Sequence, residues 1–121
     1  MKPFITMAFL SILLTACAQP EPQKHLFFYH SRFLENNSLS TPHPTHGKVE
    51  YEKILQTFEA AGFQVHSEIR SANTNVREYA LQQVPKIDSL IKQGIAPEDI
   101  TIVGTSKGGY IAQYLSTFLQ Q

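Results

Sequence analysis

The stretch from Ile100 to Phe118 leaves this chain little freedom. Ile100-Thr101-Ile102-Val103 is a β-branched run that reads as a strand, and Ile111, Tyr114, Leu115 and Phe118 recur at helical spacing. Only Gly104-Thr105-Ser106-Lys107-Gly108-Gly109 lies between them, so a strand must enter a helix through one tight turn. Strands that feed helices in this way build parallel sheets whose faces the helices cover.

The preceding residues repeat the same order. His25 to His30, His-Leu-Phe-Phe-Tyr-His, is a short apolar and aromatic run typical of a strand buried on both faces. Ser31 to Lys48 carries paired asparagines, Pro42, Pro44 and Gly47, and reads as a long irregular loop, a kind of segment that is more often functional than idle. Tyr51, Ile54, Leu55 and Phe58 mark a helix that Gly62 stops, and the alternation of Phe63, Val65 and Ile69 predicts a second strand over Phe63 to Ile69. Asn75 with Glu78 resembles a capping box. It opens a stripe of Val76, Tyr79, Ala80, Val84, Ile87, Leu90 and Ile91 that ends at Gly94, with Pro85 expected to kink or split it. The expectation is an α/β fold: a three-layer sandwich with a short parallel sheet of about three strands and helices on both faces.

The N-terminus has a different character. Met1-Lys2-Pro3 is a charged start, Phe4 to Leu14 is an apolar run too short to span a bilayer, and Leu14-Thr15-Ala16-Cys17 follows. This pattern resembles the signal peptide and lipobox of bacterial lipoprotein precursors. The resemblance implies cleavage after residue 16, a lipidated Cys17 and a membrane partner. Two or more acyl chains on Cys17, such as palmitate, make a stable anchor where one does not. Ala18, in place of Asp, fits transport to an outer membrane facing the periplasm. Residues 17–24 hold Pro20 and Pro22 and read as an extended tether, so the domain is expected over residues 25–121. Cys17 is the one cysteine, which leaves no internal disulfide. Removing residues 1–16 takes away only Lys2, leaving nine basic against ten acidic residues, a balance with no footprint for nucleic acid.

Gly104-Thr105-Ser106-Lys107-Gly108 fits G-x-S-x-G between a strand and a helix, the setting in which a serine is presented as a nucleophile. On so sharp a turn, Cβ atoms at 104 and 108 would collide with neighbouring backbone, and Gly109 would permit closer packing. The chain here resembles the α/β-hydrolase superfamily, in particular small bacterial hydrolase-like proteins with a G-T-S-K-G-G elbow, over His25 to about Phe118. The resemblance implies Ser106 as nucleophile, the Lys107 amide as oxyanion donor, and a second donor amide just after the first strand, at Ser31 or Arg32. The family usually has His-Gly there, and this chain has Ser31. Arg32 is also placed to hold an anionic substrate group. An ester or thioester is the implied substrate, with no cofactor.

The chain departs from the family after the serine. The family order is nucleophile, acid, histidine, yet Lys107 to Gln121 contain no Asp, Glu or His, and all five histidines, at 25, 30, 43, 46 and 66, come earlier. A serine without a base is a poor nucleophile, and Lys107 is expected to point away from its neighbour. Activity from this chain alone is therefore expected to be weak or absent. The alternative is a non-catalytic envelope lipoprotein, serving binding or left as a truncated remnant. A histidine within reach of Ser106, His30 first, separates the two. In the family order the first strand lies in the middle, so Ile100 to Val103 forms an open edge inviting self-association or a partner.

Other patterns read as structural. His43 and His46, in a proline-rich stretch without a nearby carboxylate or thiolate, are expected to be loop residues and no metal site. Ser89-Leu90-Ile91-Lys92 matches S-x-x-K by chance, with Leu90 and Ile91 expected to face the core. Gly104 to Gly109 lacks phosphate-loop spacing, and Tyr110 and Tyr114 are expected in the core.

Overall fold

The computed structural model describes residues 21–120, and the reading of residues 1–16 and of Cys17 lies outside them. Strand β1 (Lys24–Tyr29) is followed by a helical turn α1 (Phe33–Asn36), strands β2 (Pro42–His43) and β3 (Gly47–Lys48), and helix α2 (Tyr51–Ala60). Then come strand β4 (Phe63–His66), helix α3 (Val76–Lys92), a 3-10 turn (Pro97–Asp99), strand β5 (Ile100–Gly104) and helix α4 (Lys107–Leu119).

The parallel sheet has the order β4-β1-β5, with Leu26 opposite Val65 on one side and Thr101 on the other. Strand β1 is central, as expected, and its side chains alternate between two cores. Phe27 and Tyr29 pack with Ala80, Ile87, Ile111 and Leu115 of α3 and α4. Leu26 and Phe28 pack on the other face with Leu34 of α1 and Tyr51 of α2. The architecture is therefore the expected three-layer α/β sandwich. Because the chain turns toward α1 and α2 after β1 but toward α4 after β5, a crevice opens between the C-terminal ends of these two strands. In open α/β sheets such a crevice is where ligands bind.

Several local expectations need correction. The segment from Ser31 to Lys48 is not irregular throughout, since it holds α1 and the antiparallel pair β2–β3, in which His43 lies opposite Gly47. Strand β4 ends at His66 rather than Ile69, because Ser67 turns to donate to the Phe28 carbonyl at 2.7 Å, leaving Ile69 45% exposed. Pro85 does not split α3, which runs unbroken from Val76 to Lys92. Pro85 and Leu81 both lie on its exposed side, where water reaches the carbonyl that a missing N–H leaves unbonded. Leu90 packs on the core but Ile91 is exposed, and Tyr110 and Tyr114 are exposed on α4 rather than buried.

Candidate functional site

Strands β1 and β5 end in register, with Tyr29 opposite Gly104 and the Thr105 amide donating to the Tyr29 carbonyl at 3.0 Å. Ser31 and Ser106 thus each stand two residues past adjacent parallel strands. Both line one cleft of about 820 Å³, together with Arg32, Phe33 and the β2–β3 hairpin. The structure therefore brings together Ser31, Arg32 and Ser106.

Ser106 has φ 51° and ψ −121°, a conformation that residues with a Cβ rarely adopt. It occupies the cap position of α4, yet its hydroxyl makes no capping hydrogen bond. A serine there ordinarily spends its oxygen on the amides of the first turn. Here the unusual backbone leaves the hydroxyl at the cleft. The turn is enforced by close approach: a Cβ on Gly104 would overlap the Gly108 carbonyl, and one on Gly108 would overlap the Tyr29 carbonyl. Gly109 is different, because its Cβ would meet nothing nearer than 3.6 Å, so packing does not require glycine there.

Among the described residues, the amides of Lys107 and Ser31 donate to no carbonyl or side chain. Lys107 begins a 13-residue helix, where the first amides have no intrahelical acceptor and the dipole favours negative charge. The Lys107 side chain turns away from Ser106, as expected. Its Nζ meets Glu35 Oε2 at 2.7 Å, and Arg70 Nε meets Glu35 Oε1 at 2.9 Å, with both the Glu35 and Arg70 side chains wholly buried. Burial pushes the Glu35 carboxyl up, but hydrogen bonds from Lys107 and Arg70 outweigh it and hold the group below the usual carboxylate range.

His30 does not serve Ser106. Its Nδ1 donates to the Ser31 carbonyl at 2.7 Å, while its Nε2 accepts from the Arg70 amide at 2.9 Å. The ring is thereby fixed as the neutral tautomer with both nitrogens engaged, and burial lowers its tendency to take a proton. No histidine among the described residues hydrogen-bonds the Ser106 hydroxyl. His43 and His46 do line the cleft, stacked on each other with centroids 4.8 Å apart, and His43 Nδ1 accepts from the amides of Thr45 and His46. No group of three potential metal ligands occurs among the described residues.

Sequence reasoning missed Glu35 and Arg70. A charged residue directly after Phe33-Leu34 was a signal, since a carboxylate drawn into an apolar segment needs a cation. Its partners, 35 and 72 residues away, could not be read from spacing.

A family model described as an uncharacterised protein family (UPF0227) matches residues 40–121. The match takes in the hairpin, Arg70 and the whole Ser106 turn, and begins after Ser31, Arg32 and Glu35. No curated protein and no solved structure matches the chain.

Proposed function

This chain belongs to the uncharacterised protein family UPF0227, and from that premise we propose that it is a lipid-anchored, α/β-hydrolase-like protein of serine-hydrolase type. The observation that carries the reading is the backbone of Ser106, held at φ 51° between a strand and a helix by two glycines whose Cβ positions are already filled.

The chemistry follows from the groups at the cleft. Ser106 Oγ attacks the carbonyl carbon of an ester or thioester, and the carbonyl electron pair moves onto oxygen, to which the amides of Lys107 and Ser31 donate hydrogen bonds. The hydroxyl proton passes to solvent in the cleft. Collapse of the intermediate expels the alcohol or thiol, which takes a proton from water, and a second water releases the acid. Arg32 at the rim suits a substrate with an anionic group. A positioned base contributes about 10²- to 10⁴-fold, so turnover by this chain alone is slow by that factor.

The engaged ring of His30 favours a second reading, a non-catalytic envelope lipoprotein whose cleft binds without turnover. A fluorophosphonate probe on the full chain in detergent separates the two. Labelling that Ser106→Ala abolishes supports an activated serine, and no labelling of folded protein supports the binding reading. The anchor rests on the pattern ending at Cys17, which supports a bacterial envelope location, at an outer membrane facing the periplasm if there are two membranes. No described helix is long and apolar enough to cross a membrane. Cells fed labelled palmitate are expected to incorporate it into the wild-type chain and not into Cys17→Ala.

A further inference from the structure

Glu35 lies on α1, Arg70 follows β4, and Lys107 opens α4, so three segments far apart in sequence meet at one carboxylate. The contacts run outward in two directions. Glu35 Oε2 takes the Lys107 ammonium, whose own backbone is the residue after Ser106. On the other side Glu35 Oε1 takes Arg70 Nε, and Arg70 Nη2 donates to the His30 carbonyl at 2.6 Å. The Arg70 amide holds His30 Nε2, and His30 Nδ1 holds the carbonyl of Ser31. An unbroken chain of hydrogen bonds thus links the two segments that bring Ser31 and Ser106 to the cleft.

We propose that Glu35 is a positioning residue, its buried carboxylate locking the Ser106 turn to the loop after β1 so that the Ser31 and Lys107 amides address one oxyanion. The role rests on the hydrolase reading of Ser106, which it deepens. Stability alone does not account for the network. A buried ion cluster is commonly matched or exceeded by apolar residues of the same volume, and this one leaves Arg70 Nη1 buried without a partner among the described residues. What such a cluster supplies is a fixed geometry. Oxyanion donors act only when they are already aimed, and a displacement of about 1 Å in a site is enough to cost orders of magnitude in rate.

The test uses the full chain in detergent micelles. Glu35→Gln leaves buried Arg70 and half-buried Lys107 short of a counter-charge and lowers folding, so the informative variant is Lys107→Met, which keeps the amide and removes the ammonium. Hydrogen exchange is followed in peptides spanning 29–36 and 103–110, alongside the rate at which Ser106 displaces fluoride from a fluorophosphonate. Lys107→Met is expected to speed exchange in both peptides together and to slow labelling about tenfold or more at temperatures well below unfolding. Lys107→Arg is expected to restore both. Exchange that changes only in 103–110, or labelling that Lys107→Arg fails to rescue, overturns the positioning role. A wild-type chain that is never labelled defeats the hydrolase reading instead, and exchange in 29–36 then decides whether Glu35 couples the two loops.

Discussion

At Ser106 the backbone asks for something a side chain does not readily give. With φ 51° and ψ −121°, serine and alanine meet the same steric cost, so Ser106→Ala is expected to be nearly neutral in stability. Glycine escapes it, and Ser106→Gly is expected to gain about 1 kcal/mol in a urea titration. Strain held where the hydroxyl is presented, and released by removing that side chain, is what the proposed nucleophile role predicts. The neighbouring glycines divide along the same logic. Gly108→Ala drives a methyl into the Tyr29 carbonyl, a backbone atom that cannot swing aside, and is expected to cost about 3 kcal/mol. Gly109→Ala meets only ordinary contacts inside a helix and is expected to be neutral or to gain up to about 1 kcal/mol. The need for Gly104 and Gly108 was legible because it follows from the angle between a strand and the helix it feeds. The closer packing expected at Gly109 is not realised, since a Cβ there would meet nothing nearer than 3.6 Å.

Elements long enough to show a period were legible, and shorter ones were not. Helix α3 was written in its stripe and in its cap, where the Asn75 side chain accepts the Glu78 amide at 3.0 Å. Asn75→Ala is expected to cost about 1 kcal/mol, seen as a lower thermal midpoint with an unchanged cleft. Pro85 misled because its cost depends on whether the stranded carbonyl is wet, which spacing alone does not reveal. The four-residue α1 and the two-residue strands β2 and β3 fall below what any periodicity can signal. They matter all the same, since α1 delivers Glu35 to the interior and the hairpin brings His43 and His46 to the cleft that holds Ser106.

Over the whole molecule, the layers were legible from the order of elements, whereas the charges that tie the layers together were not, because Glu35, Arg70 and Lys107 meet only once the sheet has formed. Those charges and two desolvated histidines, buried His30 and half-buried His66, set how the fold answers to acid. Burial holds His30 below its ordinary value of 6.5, and burial together with the adjacent His25 and Lys86 does the same for His66, so each resists protonation in the folded chain more than in the unfolded one. Below that value the unfolded chain takes up protons that the folded chain refuses, and stability falls as the pH drops. Glu35 adds a second stage. Burial opposes its charge, but Lys107 and Arg70 keep its carboxyl below the ordinary 4.5, so its contribution is complete above that value and drains away as the pH falls toward its folded one. Urea midpoints at about pH 7, about 5.5 and about 4 are therefore expected to decline in that order. His66→Gln is expected to flatten the upper step alone, since it removes one histidine and leaves the Glu35 network untouched. A midpoint that rises on acidification contradicts the burial of neutral histidines, and an upper step unchanged in His66→Gln assigns it to His30.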